Sequence, residues 1–265
     1  MMIAANGIAL HVEDQGTGAP ALVFLHYWGG SSRTWRHVTG LLAPDFRTVA
    51  VDQRGWGASN KPDNGYDLAS LAADAQGVIE ALGLARFILV GHSMGGKVAQ
   101  LLASRRPPGL VGLVLVAPSP PVPMNLPVNV RQGMVGAYAS RDSIVATVEQ
   151  VLTGRPLGAD DLEAVVSDSL RGAAAAKAAW PLAASQEDIA AAVADIAVPT
   201  LVMSGAEDRV DPPAMLKQEL LTRIPQAGLS VLPGIGHLVP LEAPGDVAAS
   251  IRTFIQSLEP AALAR

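Results

Sequence analysis

Apolar and polar positions divide the chain into alternating short runs and helical stripes. Ile8 to Glu13 alternates apolar with polar residues, as a strand with one face in a core does. Gly16-Thr17-Gly18-Ala19-Pro20 ends it, and Ala21-Leu22-Val23-Phe24-Leu25 follows without a polar break. Such a run suits a parallel strand buried on both faces. After His26-Tyr27-Trp28-Gly29-Gly30, Ser31 and Ser32 are candidate helix caps, and Trp35, Val38, Leu41 and Leu42 recur at helical spacing. Arg47 to Val51 predicts the next strand. From Asp67 to Leu82 apolar residues step by three and four, predicting an amphipathic helix stopped by Gly83. Phe87 to Val90 and Leu110 to Val116 predict two further buried strands, with a helix between them that ends at Arg106-Pro107-Pro108-Gly109.

Alternation of strand and helix implies a mostly parallel sheet with helices on both faces. After Val116 the pattern changes. Pro118, Pro120, Pro121, Pro123 and Pro127 cannot belong to a central strand, and they mark an insertion. Helices are predicted at Ser143 to Leu152, Asp161 to Leu170 and Gly172 to Trp180, the last ended by Pro181. Ser185 with Asp188 suggests a capping box for a short helix through Ile196. The reading is thus an α/β core over 1–117 and 191–265, with a helical cap or lid over 118–190. In its second part the core resumes with a strand at Pro199 to Ser204, a helix near Met215 to Arg223, a strand at Leu229 to Leu232 and a helix at 245–258.

The 265 residues are 49% hydrophobic with a net charge of -5, which allows one core-bearing domain and disfavours nucleic acid or an anionic membrane as partner. No cysteine occurs, so a nucleophile must be oxygen or nitrogen and no thiolate can hold a metal. A leader or membrane span is not visible in the pattern, and the expectation is a cytoplasmic protein acting on a small molecule. Its oligomeric state is left open.

Gly91-His92-Ser93-Met94-Gly95 joins a predicted strand to a predicted helix. This spacing marks a turn so tight that the serine projects from its tip, although a glycine-rich turn can also carry an ordinary serine. A hydroxyl becomes nucleophilic only beside a base, and an imidazole base needs an acid to fix its tautomer. Glu207, Asp208 and Asp211 follow one predicted strand and His237 follows another. Loops after parallel strands lie at one sheet edge, where Ser93 also emerges. The backbone N–H of Met94 would face an oxyanion at that edge. His92, His26, Asp52 and Arg54 read as structural residues that brace loops. Lys97 reads as solvated or facing the insertion.

Gly-His-Ser-Met-Gly-Gly at 91–96, Asp-Gln-Arg-Gly-Trp-Gly-Ala-Ser at 52–59, Gly-Ala-Glu-Asp at 205–208 and Gly-His-Leu-Val-Pro-Leu-Glu-Ala-Pro at 236–244 together resemble the α/β-hydrolase family, of the esterase and cofactor-free haloperoxidase type. The resemblance covers the chain outside the insertion. It implies the α/β-hydrolase fold and a catalytic triad of Ser93, Asp208 and His237, with neither cofactor nor metal. Met94 and Trp28 are implied as oxyanion donors, but Tyr27 stands where relatives usually carry glycine, which leaves Tyr27 as the alternative to Trp28 for the second donor. The Tyr27 hydroxyl and the insertion residues Met124, Met134, Tyr138 and Trp180 are the candidates for substrate contact, while Arg131 and Arg141 read as solvated. The implied reaction is hydrolysis of small, mostly apolar carboxylic esters through an acyl-enzyme. Lactone, perhydrolysis, C–C and amide chemistry would use the same triad, and a non-catalytic binding scaffold is the remaining alternative.

Overall fold

The computed structural model describes residues 1–258, so residues 259–265 of the expected core lie outside it. It begins with a hairpin that the sequence reading missed. β1 (Met2–Ala5) pairs antiparallel with β2 (Ile8–Gln15), and the turn residues Asn6 and Gly7 have φ of 48° and 79°. Asn-Gly is suited to this two-residue turn because both residues tolerate left-handed backbone. There follow β3 (Ala21–Leu25), α1 (Arg36–Leu42), β4 (Thr48–Val51), α2 (Leu68–Ala81), β5 (Phe87–His92), α3 (Met94–Ser104) and β6 (Leu110–Val116). The segment between β6 and the next strand carries α4 (Val128–Met134), α5 (Arg141–Thr147), α6 (Ala159–Arg171), α7 (Ala174–Leu182) and α8 (Ala190–Val193). The chain then returns through β7 (Thr200–Gly205), α9 (Pro213–Leu216), β8 (Ala227–Leu232), α10 (Val239–Glu242) and α11 (Pro244–Ser257).

One eight-stranded sheet has the order β1-β2-β4-β3-β5-β6-β7-β8. The β1–β2 and β2–β4 pairs are antiparallel and the other pairs parallel. Side chains alternate across it as the strand period requires. Val23, Leu25, Leu89 and Leu113 join the core on the side of α2 and α3, which also takes in Ile144, Val165 and Trp180 of the long insertion. Leu22, Phe24, Ile88 and Val114 face the opposite way, against Val38 and Leu42 of α1 and Val247, Ile251 and Ile255 of α11. Two-sided burial explains the unbroken apolar runs of the central strands. The expected α/β-hydrolase fold is the fold observed.

Four local expectations are corrected. Leu41 is 44% exposed and does not belong to the buried stripe of α1. Pro181 lies inside α7 rather than beyond it; at the penultimate position of the helix its missing N–H removes one hydrogen bond and stops continuation. The helix starts at Ala174 rather than at Gly172, where the Trp56 ring lies too close to leave room for a Cβ. Ser185 caps no helix. Its hydroxyl donates to the Pro181 carbonyl, while Asp188 alone accepts the Ala190 N–H at 2.9 Å.

Candidate active site

The β5–α3 junction is sharp enough to require its glycines. Ser93 has φ 53° and ψ -116°, a left-handed conformation unfavourable for a serine. A Cβ on Gly91 would lie 2.5 Å from the Gly95 carbonyl oxygen, and one on Gly95 would lie 2.5 and 2.6 Å from those of Leu25 and His26. Small residues here let α3 start against the end of β3. Ser93 is held there by its own N–H, which donates to Val116 O at 3.2 Å, and by its carbonyl, which accepts the Ser119 N–H at 3.1 Å.

At this edge Ser93 meets a loop 144 positions further along the chain. Ser93 Oγ donates to His237 Nε2 at 2.8 Å, and His237 Nδ1 donates to Asp208 Oδ2 at 2.8 Å. A carboxylate only accepts, so it puts the imidazole proton on Nδ1 and leaves Nε2 free to take the hydroxyl proton. The other Asp208 oxygen accepts the N–H groups of Val210 and Asp211, at 2.8 and 3.0 Å. Burial alone would lower the His237 pKa; the charge of Asp208 and its hydrogen bond outweigh burial and hold it above the ordinary value. All three side chains are buried, with Ser93 5% exposed.

The loop of His26 to Gly30 runs beside the start of α3. Its Tyr27 carbonyl accepts both His26 Nδ1–H, at 2.7 Å, and the Gly30 N–H, at 3.1 Å. These two bonds fix the Tyr27–Trp28 peptide with its N–H on the opposite side. The Trp28 and Met94 N–H groups donate to no protein acceptor among the described residues.

The expected structural residues form the frame of this loop. His26 Nε2 accepts the Gln53 N–H at 3.0 Å, and the Gln53 side chain returns to the His26 carbonyl at 2.7 Å. Asp52 accepts the N–H groups of Ser32 and Ala58, and these bonds overcome its burial to hold the carboxyl below its usual range. Arg54 forms a buried ion pair with Asp74, at 2.5 and 2.6 Å. His92 donates through Nε2 to the His237 carbonyl at 2.8 Å, and burial keeps it neutral by lowering its pKa well below the ordinary value. Lys97 faces the insertion, with Nζ donating to Val122 O at 2.9 Å and Ser185 O at 3.2 Å.

Of the candidates for substrate contact, Trp180 lines a narrow cavity together with Met94, Trp56 and Ala176. Tyr66 and Ala179 line both this cavity and a surface groove of about 340 Å3 beside Asp63, Asp67 and Glu187. Tyr27 turns its buried ring toward His92, 5.2 Å between centroids. Tyr138 stacks at 4.3 Å on Trp28 and donates its hydroxyl to the Trp28 carbonyl at 2.8 Å. Met124 and Met134 are half-buried against the core. Arg131 donates to the carbonyls of Leu126, Pro181 and Leu182 and so braces the insertion, contrary to the solvated role expected of it. Arg141 stays at the surface, paired with Glu163 at 2.8 Å.

Two site residues were not singled out from the sequence. Glu242 accepts N–H groups from Gly236, Gly154 and Arg155, tying the His237 loop to the insertion. It lies within the quoted 236–244 motif, which was the available signal. Ser119 had none, since a serine in a proline-rich stretch has no distinguishing pattern.

Residues 22–250 match the Alpha/beta hydrolase family, and the chain belongs to that family, whose members define the class of protein as a hydrolase. A non-heme haloperoxidase from Rhodococcus erythropolis is 31% identical over 96% of this chain and 98% of its own length. A 2-(acetamidomethylene)succinate hydrolase from Mesorhizobium japonicum is 30% identical over 94% of this chain and 92% of its own. The solved structure of an esterase from Exiguobacterium antarcticum superposes with a TM-score of 0.88 at 24% identity, covering 97% of this chain and 99% of that one. Among the described residues no helix is long and apolar enough to cross a membrane.

Proposed function

We propose that this hydrolase cleaves carboxylic esters of small, mostly apolar substrates through an acyl-enzyme on Ser93. The observation that carries the reading is the unbroken line of hydrogen bonds from Ser93 through His237 to Asp208, each 2.8 Å long. His237 takes the hydroxyl proton as Ser93 Oγ attacks the acyl carbon, and Asp208 stabilises the imidazolium that forms. The ester carbonyl oxygen becomes an oxyanion, received by the N–H groups of Trp28 and Met94, each worth about 3 kcal/mol in such a site. His237 then gives its proton to the leaving alcohol. Water next surrenders a proton to His237 and attacks the acyl carbon, and the returning proton frees Ser93 and a carboxylic acid.

The apolar preference is supported by the lining of the narrow cavity beside Met94. Trp56, Met94 and Trp180 supply apolar walls, and the 118–190 segment acts as the cap over them. Peroxide in place of water would turn the same acyl-enzyme into a peracid, a second reading favoured by the non-heme haloperoxidase among the relatives. The test is covalent labelling of Ser93 by a fluorophosphonate, with turnover of aryl esters of graded acyl length, lactones and peracid formation measured in parallel. Labelling of the native chain, its loss in Ser93→Ala and a maximum on short esters are expected. An unlabelled Ser93 would overturn the proposal.

A further inference from the structure

Five residues close a ring of hydrogen bonds around the reactive serine. Ser93 meets His237, and His237 meets Asp208 Oδ2, at 2.8 Å each. Asp208 Oδ1 accepts the Asp211 N–H at 3.0 Å, and Asp211 Oδ2 accepts the Ser119 hydroxyl at 3.3 Å. The Ser119 N–H returns to the Ser93 carbonyl at 3.1 Å. Ser119 and Asp211 are each 4% exposed, so bulk water does not compete for these bonds. Asp211 is therefore a second carboxyl in a closed site that already holds the Asp208 carboxylate.

We propose that Asp211 is a positioning residue, which holds Ser119 against the nucleophile turn and acts by its charge on His237, so that two coupled protons govern the reaction. This rests on the triad reading above.

Charged and titratable neighbours reach Asp211 from three elements: Asp208 on its own loop, His237 after β8 and Lys97 on α3, with the Ser119 hydroxyl after β6. Burial pushes the Asp211 carboxyl up to about 7 and Asp208 adds to the rise, while His237, Ser119 and Lys97 oppose it. His237 also faces Glu242, which favours its charged form, and the buried His92. Groups coupled in this way lose protons in steps that belong to the pair. With Asp211 ionised, the imidazolium formed during attack has a second counter-charge. With Asp211 protonated, it has Asp208 alone.

Rates of fluorophosphonate labelling and ester turnover across pH, for the native chain and for Asp211→Asn, test this. Asparagine keeps an oxygen for Ser119 and cannot ionise. The native acid limb is expected to span two ionisations. In Asp211→Asn it should collapse to one and move to lower pH by about 1 unit, and the plateau should fall about threefold to tenfold. Ser119→Ala should keep both ionisations, because the charge remains. A native chain that does not label sinks the triad reading together with this inference. Labelling with an Asp211→Asn profile equal to the native one overturns the inference alone. Should Asp211→Asn not fold, the native profile decides: a single ionisation on the acid limb is the overturning result.

Discussion

The Glu242 carboxylate receives the Gly236 N–H on both oxygens, at 3.1 and 3.0 Å, one residue before His237. The same carboxylate accepts the Gly154 N–H at 2.8 Å, so one side chain ties the imidazole loop to the end of the α5 region. Room for this contact comes from the absence of side chains: a Cβ on Gly236 would stand 2.4 Å from the Gly154 nitrogen. Glu242→Ala strands buried N–H groups, each costing about 1–3 kcal/mol. A lower thermal midpoint is expected, together with slower labelling of Ser93. An unchanged midpoint would show that water replaces the carboxylate at no cost.

Tyr138 holds the Trp28 peptide by donating its hydroxyl to the Trp28 carbonyl. Burial holds its phenol pKa above the ordinary value, so it remains a donor at every working pH. Tyr138→Phe removes a hydrogen bond worth about 1 kcal/mol. Turnover should fall roughly fivefold with little change in KM if the bond sets the Trp28 peptide for the transition state. A rise in KM alone would assign Tyr138 to ground-state binding instead.

Two buried groups give stability an unusual pH dependence. The Asp211 carboxyl keeps its proton in the folded chain up to about 7 and loses it near 3.8 when unfolded. Between these values the folded chain binds more protons, so this group's contribution to stability falls as pH rises. Burial lowers Lys97 from 10.5 to about 8, and there the unfolded chain binds more protons, so its contribution rises through that interval. Urea midpoints of Asp211→Asn should exceed the native ones most above pH 7 and converge with them in acid. Lys97→Met should remove the alkaline rise. A constant offset across pH in either variant would contradict the assignment.

Ala179 lines both the surface groove and the narrow cavity bounded by Met94 and Trp180. Ala179→Phe should fill space shared by the two and slow long-chain esters far more than short ones, read as a drop in kcat/KM with an unchanged thermal midpoint. Equal loss for all chain lengths would place the route to Ser93 elsewhere.

What the sequence displayed was whatever local chemistry dictates. The run from Ala21 to Leu25 and the glycines flanking Ser93 constrain backbone and burial within a few residues, and both read correctly. Met2–Ala5 was missed because a four-residue edge strand shows little alternation, although Asn6-Gly7 marked its turn. The Ser185 cap failed because its hydroxyl turns back to the Pro181 carbonyl, and the Ser185 backbone is held by Lys97 and Met124 through its own carbonyl. Ser93, Asp208 and His237, which the fold brings into hydrogen-bond contact, were recognisable by type and order. Asp211 and Glu242 gain their roles only from what the fold brings against them, as carboxyl groups in closed surroundings.

Lys97 touches the insertion near both of its ends, at Val122 just after it leaves the sheet and at Ser185 shortly before it returns. A single ammonium thus cinches the excursion at its throat, one helical turn from Ser93. The sixty or so residues between the two carbonyls are mechanically a loop drawn shut at its base. Between those two ties the loop still reaches the core through Tyr138 at the Trp28 carbonyl and Gly154 at Glu242, so a change inside it can be felt at the loops of Trp28 and His237 without passing through its base.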